Sequence, residues 1–375
     1  MNHRLILVET DDAQLDRLAA VVRETTDFEL AASFARIGAA LGQSSVFQPD
    51  VFLIDVDDPD ARAAIPNFLS TFPNTVVLCM MEHWNADIAD QCLAMGAAGS
   101  MLKPLRGEEI SEALHAFVRR GQPKPPQIVA FFSPKGRSGK TTVIANLAIS
   151  LARRSGESVG VIDADLQFGD LPIFFDAEPV STIVEAARDI QLLSPITLSP
   201  YFMTLADGLH MLSSPKRPEL AELVDLESLL SIIRMAGSLY RYVLIDLPSG
   251  VSPLVMGVCE LADTIFLTGM IGSGFETQHM RRALGMFDGW SGFGKRLNVV
   301  FSRVVPYNDE EQRRLSTAIN HPVASILPNE YLLISTANSG RMPGGIDFNS
   351  TIARKFDQMA FELMDVDARR GGVRQ

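Results

Sequence analysis

Cysteine is scarce in this 375-residue chain. Cys79, Cys92 and Cys259 are the only three, widely spaced and without a C-x-x-C pair. That excludes a disulfide framework and a paired-cysteine cluster site, and it suits reduced thiols in a cytoplasmic protein. The six histidines (His3, His83, His115, His210, His279 and His321) show no ligand spacing. No metal other than magnesium is therefore expected. No apolar run reaches 18 residues, so no membrane-spanning helix is expected. The opening stretch holds a four-residue apolar run, shorter than the core of a secretory signal. Basic charge is also short: 33 Lys and Arg stand against 45 Asp and Glu, a formal net charge of −12. Such a balance is not built to coat nucleic acid or anionic lipid, although a local basic patch stays open.

What is present suggests two domains. The length is right for two. The segment Arg119–Gln127 carries Pro123, Pro125 and Pro126, which forbid a regular helix and favour an extended linker over 120–127. On both sides apolar strands alternate with amphipathic helices, the pattern of doubly wound α/β sheets. Strands are expected near 4–8, 28–33, 51–55, 75–79 and 100–102, with helices near 12–24, 60–71, 86–96 and 107–119. Beyond the linker, strands are expected near 128–133, 158–163, 209–212, 242–246, 264–268, 297–301 and 323–326. The Met pairs and scattered Phe residues read as core filling.

The most specific stretch is Phe131-Phe-Ser-Pro-Lys-Gly-Arg-Ser-Gly-Lys-Thr-Thr142. It follows an apolar strand and opens a helix with Val143, Ile144, Leu147 and Leu151 in period. That is the context of a phosphate-binding loop. Gly136 and Gly139 let the backbone wrap an anion, with Arg137, Ser138 and Thr142 in the same loop, and the helix N-terminus faces the charge. Lys140 can reach β- and γ-phosphates, and the Thr141 hydroxyl can ligate Mg²⁺. Two further strands end in acids: Val159–Asp163, followed by Asp165, and Tyr242–Asp246, followed by Pro248 and Gly250. In a parallel sheet these ends share the edge that carries the loop.

The loop with its second lysine, Lys135, resembles the deviant Walker A ATPases of the MinD/ParA superfamily, together with Asp163-x-Asp165 and Asp246-x-Pro-x-Gly250. The resemblance covers most of residues 128–365, including Asn146-Leu-Ala148 and Ala337-Asn-Ser-Gly340. It implies ATP and Mg²⁺ as cofactors and a homodimer formed through the ATP site. It implies that Lys135 reaches into the partner's site, that Lys140 binds phosphates and that Thr141 binds Mg²⁺. Asp163 and Asp246 would hold metal waters, Asp165 would position the attacking water, and Gly250 would belong to the second switch. Arg137 departs from that pattern, standing where a glycine is usual. So does Ser302-Arg303, where the family's strand ends in Asn-Arg. Slow hydrolysis and an inert nucleotide-binding scaffold both stay open.

Residues 1–119 resemble a response-regulator receiver domain. Asp55 ends a strand as a phosphoacceptor would, and Lys103-Pro104 ends a later one. The acidic pair after the first strand reads Glu9-Thr10, with Asp11 and Asp12 next, and no hydroxyl follows the fourth strand at Met80-Met81-Glu82. A degenerate receiver used for docking or dimerisation is the expectation. The acids Asp55, Asp57, Asp58 and Asp60 lack the glycine and distal glutamate of a calcium loop, and read as the start of a helix.

A receiver-like domain joined to such an ATPase is similar to the CpaE/TadZ group of tight-adherence (Tad, Flp) pilus assembly, as are Asp163–Phe174 and Leu212–Glu219. That resemblance implies recruitment of pilus secretion proteins to a cell pole, in the cytoplasm or at the inner-membrane face. A ParA-type partitioner would need a basic surface. A MinD-type membrane switch would end in a basic amphipathic helix, whereas the last helix carries Asp357, Glu362, Asp365 and Asp367 beside Ile352, Phe356, Met359 and Leu363. That apolar stripe is expected to pack on the domain, leaving any membrane association peripheral.

Overall fold

The computed structural model describes residues 3–25, 28–72, 75–107, 110–111, 126–206, 208–271, 274–290, 292–329 and 350–371. Most of the expected helix 107–119, nearly all of the proline-rich linker and the segment 337–340 lie outside them. The chain divides into two compact units, Met1–Pro125 with Asp189–Pro200, and Pro126–Arg188 with Tyr201–Gln375.

The first unit holds five parallel strands: β1 (His3–Val8), β2 (Phe28–Phe34), β3 (Val51–Asp55), β4 (Val76–Met81) and β5 (Gly99–Leu102). Their order, β2-β1-β3-β4-β5, is that of a flavodoxin-like doubly wound sheet. Successive side chains point to opposite faces of a strand. Leu5, Leu7 and Leu53 thus join one buried cluster, and Ile6, Val8, Phe52 and Ile54 join the other. Both faces are covered, which is why these strands read as continuous apolar runs. The helix expected over 60–71 is two pieces, Pro59–Ala63 and Ile65–Thr71. Pro66 has no N–H to continue the ladder. Asp58 caps the first piece through the Asp60 N–H (2.9 Å), so the acidic run does start a helix.

The second unit is an eight-stranded, mostly parallel sheet: β6 (Gln127–Phe132), β7 (Val159–Asp163), β8 (Met203–Ala206), β9 (Leu209–Leu212), β10 (Tyr242–Asp246), β11 (Thr264–Met270), β12 (Leu297–Val304) and β13 (Val323–Pro328). The order is β13-β12-β11-β6-β10-β7-β9-β8. β8 pairs antiparallel to β9 at the edge. Asp246 lies in register with Phe131 on one side and Asp163 on the other. Three strand ends therefore meet at one level of the sheet.

The helix Lys140–Ser155 begins after Gly139 (φ 82°) and stops at Gly156 (φ 66°), a left-handed residue that a β-carbon disfavours. The C-terminal helix Thr351–Gly371 buries Ile352, Phe356, Met359 and Leu363 in the same cluster as Ile144, Leu147 and Leu151. Asp357 accepts hydrogen bonds from Arg153 (2.6 Å) and from Arg154. Burial raises its carboxyl, but the two guanidinium hydrogen bonds prevail and hold it below the usual range. The apolar stripe of this helix is thus spent on the protein. Among the described residues no helix is long and apolar enough to cross a membrane.

Candidate nucleotide-binding site

β6 ends at Phe132, and the chain enters a loop braced by hydroxyls. Ser133 Oγ donates to the Lys135 carbonyl (2.7 Å), and the Gly250 N–H donates to the Ser133 carbonyl (3.0 Å). Arg137 and Gly139 both adopt positive φ, 60° and 82°. Such alternation curls consecutive N–H groups into a concave nest. Gly139 is also sterically required: a β-carbon there would lie 2.8 Å from Ser302 Oγ.

Ser302 is the strut behind this contact. Its hydroxyl lies 2.9 Å from the Ser138 carbonyl and 3.3 Å from the Gly269 carbonyl. Ser138 Oγ in turn meets Thr268 Oγ1 at 3.3 Å. The ends of β11 and β12 thereby fix the loop from below. The strand-end pair Ser302-Arg303 is used for bracing at its first member, while Arg303 stays exposed at the cleft.

Lys140 is 6% exposed and forms an ion pair with Asp246, itself 1% exposed. Thr141 Oγ1 donates to the other Asp246 oxygen at 2.9 Å. Burial pushes the Lys140 ammonium down to about 8, against the pull of Asp165, Asp163 and Asp170. Asp163 is fully buried, and it is held by its own loop and by Ser214. It accepts from the Leu171 N–H (3.2 Å), the Asp165 N–H (3.3 Å) and Ser214 Oγ (3.2 Å). Burial raises its carboxyl to about 7 despite the nearby Lys140.

Around this centre lies a cleft of about 680 Å³ lined by Gly136–Val143, Asp165, Asp170 and Ser249, with Met270, Arg303 and Leu327 among its other walls. That size suits a small-molecule ligand. Gly136, Arg137, Ser138, Gly139, Lys140, Thr141, Thr142 and Asp165 are brought together in it. Lys135, Gly250, Asp163 and Asp246 are not among its lining residues; Lys135 is exposed and the two acids are buried. The place of Asp170 in the cleft and the bracing role of Ser302 are additions to what the sequence shows. Asp170 had a visible signal, an acid five residues after Asp165 just before Leu171-Pro172.

A triphosphate and its Mg²⁺ fit this donor set. The nest is concave, its one buried cation is Lys140, and a hydroxyl and a carboxylate stand side by side at Thr141 and Asp246. Those residues would hold the group, which supplies the anhydride to be broken.

A second cluster occupies the strand ends of the first unit. Lys103 Nζ lies 3.0 Å from Glu9, 3.3 Å from Asp55 and 3.7 Å from Asp57. Asp57 is an addition to the pair Asp55 and Lys103 read from the sequence. Asp11 is spent capping a helix through Ala13 and Gln14. Burial, and then the neighbouring Glu9, raise the Asp55 carboxyl to about 6 against the pull of Lys103. Between about pH 4 and 6 the unfolded chain releases this proton while the folded chain keeps it, so stability falls as pH rises through that window. Asp55→Asn, which cannot ionise, is expected to stabilise the full chain by about 2 kcal/mol at pH 8 and by nothing near pH 3.5. Urea unfolding at the two pH values checks it; equal gains at both would refute the assignment.

Comparison with known proteins agrees with the site. Residues 129–341 match the CobQ/CobB/MinD/ParA nucleotide binding domain model. The chain is 23% identical over 242 residues to the septum site-determining protein MinD of Thermotoga maritima, covering 62% of this chain and 86% of that protein. Its fold is similar to a ParA family ATPase from Chlorobium tepidum (TM-score 0.57, 18% identity, 63% of this chain and 98% of that one). It is also similar to MinD from Pyrococcus horikoshii, solved with Mg-ADP (TM-score 0.53, 20% identity, 64% and 96%). The family model spans more than half of the sequence and contains the whole loop from Ser133 to Thr142, and the chain belongs to the CobQ/CobB/MinD/ParA nucleotide-binding family.

Proposed function

We propose that this protein is a slowly hydrolysing ATPase whose ATP–Mg²⁺ form is a homodimer, and that the dimer serves as a localisation factor for tight-adherence pilus assembly. The observation that carries the reading is the division of labour among three cations of one loop. Lys140 is buried against Asp246 at the floor of the cleft. Lys135 and Arg137 stand exposed, with side chains that make no hydrogen bond or ion pair among the described residues. A cation held at the floor binds phosphate in its own chain; exposed cations are available to a second chain, where they can stabilise charge only once two subunits close. Asp165 in the cleft is the residue to orient water, which favours hydrolysis over an inert scaffold.

In this proposal residues 1–119 form a receiver-like docking domain and 128–375 the ATPase domain. The pilus role rests on that pairing and on the sequence resemblance of Asp163–Phe174 and Leu212–Glu219. The buried stripe of the C-terminal helix speaks against MinD-type lipid anchoring, and the net charge of −12 against DNA. The protein is placed at a cell pole or the inner-membrane face through protein partners.

The test is sedimentation velocity with and without ATP–Mg²⁺. The wild type is expected to shift to a dimer with nucleotide, and Lys135→Ala to weaken the shift about tenfold, as removal of one interfacial charge does. Identical profiles for the wild type with and without nucleotide would defeat the dimer reading.

A further inference from the structure

Two opposite charges at the cleft, Arg137 and Asp170, make no side-chain hydrogen bond or ion pair among the described residues. Arg137 is exposed at the loop apex and holds φ 60°, a conformation that a β-carbon disfavours and that glycine adopts freely. A side chain kept where the backbone would prefer none points to a task for the side chain. Asp170 is exposed as well, and although it precedes the short helix Leu171–Phe174 it makes no capping hydrogen bond. Burial and then Asp165 raise its carboxyl against the weaker pull of Lys140, so a cation brought directly to it would be welcome. Both residues line the same cleft, yet among the described residues neither forms a hydrogen bond or ion pair through its side chain. Phe168, 74% exposed, lines the cleft beside them, and Val251, 57% exposed, follows the second-switch glycine. Exposed aromatic and arginine side chains are enriched at protein–protein interfaces, whose rims are polar.

We propose that Arg137 pairs in trans with Asp170 of a second copy of this chain, closing the nucleotide-loaded dimer. The proposal rests on the homodimer reading above and names the contact that makes it specific. A two-fold interface is self-complementary: if residue 137 of one copy meets residue 170 of the other, the reverse pair forms too. The planar guanidinium suits a carboxylate better than an ammonium would. Lys135 remains free to serve phosphate, while Arg137 reads the acid of the opposing loop. Because Asp163 ties residues 163–171 into one closed loop, Asp170 is carried by the same loop as Asp165. The pair would thereby report partner arrival to the water-positioning acid.

Charge reversal tests this without ambiguity. Arg137→Asp alone sets two like-charged pairs across the dimer, and so does Asp170→Arg alone. Each is expected to weaken ATP–Mg²⁺-dependent self-association at least about tenfold. An equimolar mixture of the two variants forms a heterodimer with both opposite-charge pairs restored, and its dissociation constant is expected to return to within about threefold of the wild type. A fluorescent label on one variant lets sedimentation velocity see the mixed species. Titration with ATP–Mg²⁺ on each variant alone measures nucleotide binding separately. A wild-type dimer with no rescue in the mixture overturns the pairing and leaves the dimer reading standing. Loss of ATP binding in the single variants also overturns it, because both side chains would then serve their own chain's site. No wild-type dimer at all overturns the dimer reading and the pairing with it.

Discussion

Lys140→Ala is expected to lower affinity for ATP–Mg²⁺ about 100-fold, the scale of removing one partner from a buried, charge-assisted contact. Two effects combine. The phosphate loses the only buried cation on the loop, and Asp246 loses its counter-ion at a position 1% exposed to solvent. The second effect reaches the fold itself, since an unpaired buried charge costs about 3–5 kcal/mol. The two are separable. Adding Asp246→Asn removes the orphaned charge, so the double variant should regain much of the lost melting temperature and none of the lost affinity. Calorimetric titration with ATP–Mg²⁺ and thermal melting of both variants provide the two readouts. Near-normal affinity in Lys140→Ala would show that the nest alone binds the phosphates.

A loss of stability as large, with no change at the nucleotide site, is expected from Phe356→Ala. Phe356 is 1% exposed and packs in the cluster shared by the P-loop helix and the C-terminal helix. Truncating a phenylalanine in such a place costs about 3–5 kcal/mol, the sum of lost transfer energy and the cavity left behind. For a unit of this size that corresponds to a fall of about 10 °C in melting temperature. Phe361, ten residues from the end of the same helix and 51% exposed, supplies the contrast. Phe361→Ala should change the melting temperature by no more than a degree or two. Equal effects at both positions would mean that the apolar stripe is not docked in solution, and the lipid-anchoring reading would then revive.

The architecture was legible where burial leaves a strong mark. β3, β4, β7 and β10 are covered on both faces, so each reads as an unbroken apolar run that ends at a polar residue or a turn. The loop Ser133–Thr142 was legible because its glycines, lysines and hydroxyls each answer to a separate demand of phosphate binding. β8 was not. Its four residues, Met203–Ala206, alternate between half-buried and exposed at the sheet's edge, and a short alternating stretch carries little signal. The break at Ala64 was missed although Pro66 announced it. Asp170 carries the signal of an acid shortly after Asp165, but an acid before a four-residue helix resembles an ordinary cap, and only the fold shows that it caps nothing. Ser302 stands out in the sequence only as a departure from the family's Asn-Arg strand end, and its bracing role appears only when Gly139 is seen approaching it. Asp57 joined the Lys103 cluster because the turn after β3 folds back to the Glu82 N–H (2.7 Å), a closure that spacing along the chain does not reveal.

The place of β6 in its sheet has a consequence for the order of events at the ribosome. The strand that launches the phosphate loop pairs with β10 on one side and β11 on the other. Both neighbours are encoded more than a hundred residues downstream. While β10 has not emerged, β6 has no hydrogen-bonding partner, β7 has only β9, and Lys140 has no Asp246. The five-stranded sheet of the first unit, by contrast, has every strand in hand by Leu102. Parallel pairings of such long separation are slow to form, and domains released early fold first. The nucleotide pocket is thus assembled late in synthesis, after Ser302 and the wall residues Leu327–Asn329 have left the exit tunnel, and a chain stalled before that point would carry a finished first sheet and an incomplete place for ATP.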